Sequence, residues 1–240
     1  MKHFYIDKYS NLNSLIHRLD PKIKIVIFIS FILFVIFTRP DAFVIFVLYA
    51  SIIIALILLS KIPLLFVLNR SLVVIPFVLF ITIFIPFMEN GNLLILWNVF
   101  VKAYLSILSM ILLISSTKFS ELLKALEKLK ISKLIIMILS FMYRYIFVIE
   151  DELLKMKQAK ESRTVNSSKW LQIKPLANMI GVLFVRAYER GENVYFAMSS
   201  RGFTGDINTI EKIQLNKRDF YFAITVLGIL CLIKVIARKI

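Results

Sequence analysis

The sequence predicts an all-α integral membrane protein with about five transmembrane helices and a pair of cytoplasmic helices. Three observations predict it. Mean hydropathy is +0.82. Hydrophobic residues make up 59% of the 240-residue chain and charged residues only 19%, below the roughly 25% of soluble domains. The apolar residues also come in long runs, and a hydrocarbon core takes about 20 of them per helical span.

The elements follow in order. The N-terminus, MKHFYIDKYSNLNSLIHRLDPKIK, is polar and basic. Within it Asp20 is placed to cap a helix with Pro21 at the first helical position. The first apolar run is Ile25–Phe37. It ends at TRPD, without a small-x-small cleavage site, and is read as an uncleaved span. Span two covers roughly Ala42–Leu59 and span three roughly Leu64–Met88. Pro76 and Pro86 predict a kink in span three, because an interior proline removes a helix hydrogen bond. ENGN is a turn, and span four covers roughly Leu93–Ile114.

Loop charges set the orientation. Lys2, Lys8, Arg18, Lys22 and Lys24 precede span one, and Lys61 and Arg70 follow span two. The other loops, TRPD and MENGN, are poor in bases. Cytoplasmic loops carry the excess of Lys and Arg, so the N-terminus is cytoplasmic and four spans return the chain inside near Lys118. The same rule accounts for the net charge of +15. Nucleic acid is not needed to explain it, and no nucleic-acid motif is present.

From Lys118 to Arg218 the pattern changes to charged, amphipathic helix. STKFSELLKALEKLKIS reads as a surface helix with Ser120 at its N-cap and Leu122, Leu123, Leu126 and Leu129 on one side. Ile131–Ile149 is long enough to cross. A crossing would strand Lys155, Lys157, Lys160, Arg163, Lys169 and Lys174 outside, so it is read as lying at the cytoplasmic face. Phe220–Ile236 is the last span. The expected organisation is 1–117 (four spans), 118–218 (cytoplasmic and interfacial) and 219–240 (last span and tail).

Two segments of the middle region share a signature: acid, seven residues, Ala, three residues, Arg. Asp151, Ala159 and Arg163 make the first, and Glu189, Ala197 and Arg201 the second. Ala and Arg at i and i+4 share a helix face, and the acid lies near the same stripe. A small residue permits close seating, and the guanidinium fork can bind carboxylates or helix-end carbonyls. Gly202 is placed to supply the left-handed residue that stops the helix. Two readings stand at this point: a docking tip for a soluble partner, or a solvated basic helix face.

Other candidates are structural. His3, Asp7 and His17 could in principle hold a metal, but the capping role of Asp20 is the better account of this region. The eight methionines are scattered filler, and Cys231 lies in an apolar run as an inert buried thiol. One cysteine and two histidines leave little for a disulfide framework or a metal cage. There is no GxxxxGK[ST], HExxH or GxSxG, hence no ATP site, no cofactor site and no catalytic constellation in this chain. Glu150, Asp151 and Glu152 beside Lys155 and Lys157 read as helix-surface pairs. Arg144 and Arg186 sit in apolar surroundings and need partners.

SLIHRLDPKIKIV, MYRYIFVIEDELLKMKQA and VRAYERGENVYFAMSSRGFTG together resemble the T component of energy-coupling factor (ECF) ABC transporters, in particular its cobalt-type CbiQ branch. The resemblance runs nearly the full length and preserves the order of motifs. It implies a non-catalytic permease in the plasma membrane of a prokaryote. The implied partners are two ABC-type, CbiO-like ATPase subunits that bind the ATP, and a CbiM-like substrate-binding membrane subunit, with a CbiN-like protein as a further candidate. The cytoplasmic pair then become coupling helices, each ending in an Ala-Arg-Gly signature that docks in an ATPase groove. Carried over, the signatures fall on Ser162-Arg163-Thr164 and Ser200-Arg201-Gly202, with Ala159 and Ala197 on the same faces. Serine replaces alanine in both, and Thr164 replaces glycine in the first. The expected cargo is cobalt or nickel. A T component serving vitamin-binding subunits is the alternative within the class, and a membrane scaffold or membrane enzyme the alternative outside it.

Overall fold

The computed structural model describes residues 9–10, 12–39, 43–82, 93–163, 173–203, 205 and 217–239. Among these residues every regular element is helical: α1 Pro21–Ile36, α2 Phe43–Ser60, α3 Leu64–Leu72, α4 Ile75–Thr82, α5 Leu93–Ser116, α6 Phe119–Lys128, α7 Lys133–Arg163, α8 Ile173–Ser199 and α9 Lys217–Lys239. They form two compact units, Met1–Leu129 with Glu211–Ile240, and Lys130–Ile210.

In the first unit α1 starts where its sequence dictates. Asp20 caps it by accepting the Lys22 N–H at 2.8 Å, and Pro21 opens the first turn. Its inner face, Ile25, Phe28, Phe31 and Val35, is buried, while Val26, Ile29, Leu33 and Ile36 on the outer face stay exposed. A helix apolar on both its packed and its open side suits a bilayer better than water. α2 repeats this: Ile45, Tyr49, Ile53 and Ile57 are buried, and Val44, Val47, Ile54 and Leu58 exposed. The Tyr49 ring meets Phe31 edge-on, with centroids 5.7 Å apart. The kink expected in span three is present. The helix breaks at Val73–Val74, between α3 and α4, with Pro76 in the first turn of α4. Pro86 lies outside the described residues. By length and composition, Ile95–Ser116 within α5 is long and apolar enough to cross a membrane, and Val44–Ser60 is apolar but shorter.

Two lysines lock α1 antiparallel to α5. Lys24 of α1 donates to Ser116 O at the end of α5 (2.9 Å) and to His17 O (3.1 Å). Lys102 of α5 donates to Ile36 O (3.0 Å) and Thr38 O (2.6 Å) at the end of α1. Each cation thus satisfies the last carbonyl of the other helix, where the helix dipole is negative, and one further loop carbonyl. α9 runs parallel to α1. Its start lies at the start of α1, where Asp219 Oδ2 accepts from the Asp20 N–H (3.4 Å). Further along, Lys234 sits over the rings of Phe34 and Phe37 near the end of α1, at 5.1 and 5.7 Å.

Two local expectations are corrected. Ser120 does not cap α6: the helix begins at Phe119 with Lys118 as its N-cap, so the serine lies inside the first turn. Lys118 is already in extended backbone geometry, and the helix starts as soon as the chain leaves it. The leucine face is largely as read, with Leu123 and Ala125 buried, Leu122 and Leu126 packed against the core and Leu129 exposed. Cys231 is exposed rather than buried. The core-facing positions of α9 are its neighbours Leu230 and Ile233, which turns Cys231 away from the bundle.

The second unit is a pair of long helices. α7 has 31 residues and α8 27, about 46 and 40 Å at 1.5 Å per residue. Ile131–Ile149 does not form a helix of its own. From Lys133 the chain runs unbroken through Arg163. No residue of α7 or α8 is buried, so neither helix has yet covered its apolar side.

Candidate functional site

The first signature closes the described part of α7, and the second runs across the end of α8. In α7, Arg163 is the last described helical residue, and Ala159, Ser162 and Arg163 are all exposed. Thr164 lies outside the described residues. In α8 the helix closes at Ser199, and the next four residues form a defined stop. Gly202 takes φ +76°, its N–H donates to Ser199 O (3.0 Å), and the Phe203 N–H reaches back to Met198 O (3.1 Å). These are the two bonds of a Schellman closure, with the left-handed residue at the position glycine favours. Arg201 sits between the last helical carbonyls and this glycine, held by its own N–H to Met198 O (3.0 Å), with its side chain exposed. Among the described residues neither Arg163 nor Arg201 makes an ion pair. Both guanidinium forks remain open to a partner.

The serines that stand in place of alanine use their hydroxyls locally. Ser162 Oγ donates to Ala159 O (3.0 Å) and Ser200 Oγ to Phe196 O (2.8 Å). Both hydroxyls fold back onto their own helix, so each serine offers a partner a surface little larger than alanine's.

The signatures differ in surroundings. Ala197 lines a cleft of 490 Å³ between α7 and α8, together with Glu189, Asn193, Glu152 and Arg186. Arg186 pairs with Glu152 across this cleft, which supplies the partner Arg186 required. Ala159 is exposed on α7 and does not line the described clefts. An adjoining cleft of 390 Å³, sharing Ile149, Ala187, Arg190 and Val194 with the first, is lined mainly by apolar residues such as Phe141, Met142 and Tyr195. Arg144 stacks over Tyr145 at 5.8 Å. Lys157 pairs with Glu161 at 3.8 Å in full solvent, a pair that adds little stability.

His17 belongs to the first unit and acts locally. Its Nε2 meets the Tyr9 carbonyl at 2.9 Å, and a carbonyl only accepts, so Nε2 carries the proton. Nδ1 then accepts from Ser14 Oγ at 2.7 Å. Burial lowers its pKa from 6.5, and the Lys24 charge adds to the lowering against the Tyr9 bond. His3 and Asp7 lie outside the described residues. Sequence reasoning missed Lys24 and Lys102 as helix-end clamps. The signal was present for Lys102, an isolated cation inside an apolar span, which has to find acceptors there.

A family model described as CbiQ, cobalt transport protein, matches residues 12–212, from the segment ahead of α1 to beyond both helix ends. An energy-coupling factor transporter transmembrane protein, EcfT, of Listeria innocua is 30% identical over 85% of this chain and 86% of its own length. EcfT of Lactococcus lactis is 26% identical over 95% of both chains. An uncharacterized protein of Methanocaldococcus jannaschii is 28% identical over 92% of this chain and 82% of its own. The match spans the membrane-type helices and the paired helix ends alike, and the chain therefore belongs to the CbiQ family of ECF-transporter T components.

Proposed function

We propose that the chain is the transmembrane coupling subunit of an ECF-type ABC importer. It docks two ATPase subunits through Arg163 and Arg201 and passes their motion to a substrate-binding membrane subunit. The observation that carries this is a duplicated arrangement: exposed Arg163 is the last described residue of α7 and exposed Arg201 follows the end of α8, each beside a serine and, among the described residues, without an ion pair. One of the two stops on a left-handed glycine. Family membership supports the same reading.

The mechanism follows from that geometry. ATP binding draws two ATPases together and moves the grooves on their surfaces. A helix end seated in such a groove, small beside its arginine, follows the groove or loses its contacts. α7 and α8 cross and are joined by the Arg186–Glu152 pair, so they pass displacement along their length rather than bending independently. Such a relay is a two-state element that both ends bias. The exposed apolar side of α7 and α8, including Ile138, Phe184 and Tyr188, is surface on which membrane lipid and the substrate-binding subunit would lie.

Five crossings complete the proposal: α1, α2, the broken α3–α4 helix, α5 and α9, with the N-terminus cytoplasmic and the organisation 1–117, 118–218 and 219–240. The parallel course of α1 and α9 supports an odd number of crossings. The proposed cargo is cobalt or nickel ion, selected by the partner subunit, and the family description supports it. The second reading is a T component serving vitamin-binding subunits, and the relatives named EcfT carry no metal in their names. Purification of the tagged chain from its native membrane in mild detergent tests the assembly. Two ABC ATPases and a further membrane protein are expected, and the ligand of that protein decides between the cargoes. Recovery of the chain alone would contradict the proposal.

A further inference from the structure

The second unit is joined to the first by the chain at Leu129–Lys130 and at Ile210–Glu211. The first connection is the end of α6, and the second leads into α9. Both of these helices are tied to one residue. Asp20, whose side chain is 1% exposed, lies with Oδ2 3.5 Å from Lys128 Nζ, at the last turn of α6. Its backbone N–H points at Asp219 Oδ2, in the first turn of α9. Its other oxygen, Oδ1, caps α1. Among the described residues Oδ2 accepts no hydrogen bond, and the Lys128 charge balances it as an ion pair. Immediately beyond this tie the backbone changes character. Lys130 has φ +65°, a left-handed conformation that lysine adopts reluctantly, and α7 starts only at Lys133.

We propose that Asp20 is a latch that ties the end of α6 and the start of α9 to the start of α1, so that the chain turns at Lys130–Ser132 before α7 begins. The proposal rests on the coupling reading above. Asp20 is a positioning residue here: it touches neither nucleotide nor cargo. With the latch closed, displacement of α7 is delivered to the α1–α5 pair as a whole. With it open, the end of α6 yields and absorbs the displacement.

Asp20→Asn separates the roles of the residue, because asparagine retains the oxygen that caps α1 but loses the charge that Lys128 balances. Lys128→Gln removes the same pair from the other side without touching the cap, and Lys128→Arg preserves it. The complex with its ATPases is spin-labelled at cysteines replacing Leu65 and Leu129, both exposed in the first unit, with Cys231→Ala to remove the native thiol. Pulsed electron resonance then reads their separation. The latch predicts a narrow 65–129 distribution in the parent protein and in Lys128→Arg, unchanged by MgATP with vanadate. It predicts a broadened or shifted distribution, by several ångström, in both Asp20→Asn and Lys128→Gln, and no further broadening in their double variant. Unchanged narrow distributions in both single variants would overturn it. A second label pair, Leu65 with Gln158 of α7, tests the coupling reading separately. A nucleotide-dependent change there supports coupling whatever the latch does, and its absence in the parent complex contradicts coupling while the nucleotide-free 65–129 comparison still decides the latch.

Discussion

Replacing Lys24 by methionine should destabilise the first unit strongly although lysine and methionine have similar stems. The Lys24 side chain is 1% exposed and its ammonium makes two hydrogen bonds to carbonyls, Ser116 O and His17 O, at 2.9 and 3.1 Å. Hydrogen bonds to a charged group contribute about 1.5–3 kcal/mol each. Methionine also releases the lysine from its desolvation cost, which is several kcal/mol per buried ion. If both sides of the arrangement were replaced by apolar groups the two effects would nearly cancel. Here only one side is removed. The Ser116 and His17 carbonyls lose their donor, and Asp20 and Asp219, both buried, lose a neighbouring cation. Breaking one side of a buried charged arrangement costs about 3–5 kcal/mol, and the lower end fits a case where Lys128 still faces Asp20. At roughly 2–4 °C per kcal/mol for a chain of this size, Lys24→Met should lower the midpoint by about 6–12 °C. The assay is thermal unfolding of the purified protein in mild detergent, with Lys22→Met, a half-buried lysine two residues away, as the control that changes little. A Lys24→Met midpoint within about 1 °C of the parent would refute the reasoning.

Three further outcomes are expected. The pKa of His17 is lowered by burial, so the unfolded chain binds the proton more readily than the native one between the folded value and 6.5. Its stabilising contribution is fully present above pH 6.5 and declines as pH falls below it, and His17→Gln should flatten that part of the midpoint-versus-pH curve. Gly202→Ala meets no atom within 4 Å but must hold φ +76°, at about 1–2 kcal/mol for a residue with a Cβ. It should weaken ATPase retention about tenfold in a titrated pull-down while leaving the melting midpoint of the first unit unchanged. Ser162→Ala and Ser200→Ala remove hydroxyls that bond only their own helices, so retention should stay within about twofold of the parent, a change of less than 0.5 kcal/mol.

Much of the fold was legible because each signal was local. Asp20-Pro21 states a helix start in two residues, and the structure has it. Pro76 states a break, and the break is there. Gly202 after Arg201 states a helix stop, and the stop is there. What was not legible depends on pairing across the chain. The Lys24 hydrogen bond joins residues 92 apart and the Asp20–Asp219 contact joins residues 199 apart. Nothing in either neighbourhood names its partner. The positive-inside rule explains why a lysine lies in the first turns of α1 but not that this lysine is buried. Cys231 was misjudged for a related reason. In a helix apolar on every side, composition cannot distinguish the side facing the bundle from the side facing lipid, because hydrocarbon and core are equally apolar. The N-cap read at Ser120 falls two residues late, the usual uncertainty of a helix end read without its backbone.

The central claim is that two arginines at two helix ends hold the ATPases. Its most direct test is the double variant Arg163→Ala with Arg201→Ala, expressed at the parent level in native membranes. The variant is compared with the parent for ATPase co-purification and for uptake of radiolabelled cobalt(II) and nickel(II). The account predicts that the first unit melts as in the parent, that the ATPases are largely lost from the purified complex, and that uptake falls to background. ATPases retained at the parent ratio, with uptake undiminished, would contradict it.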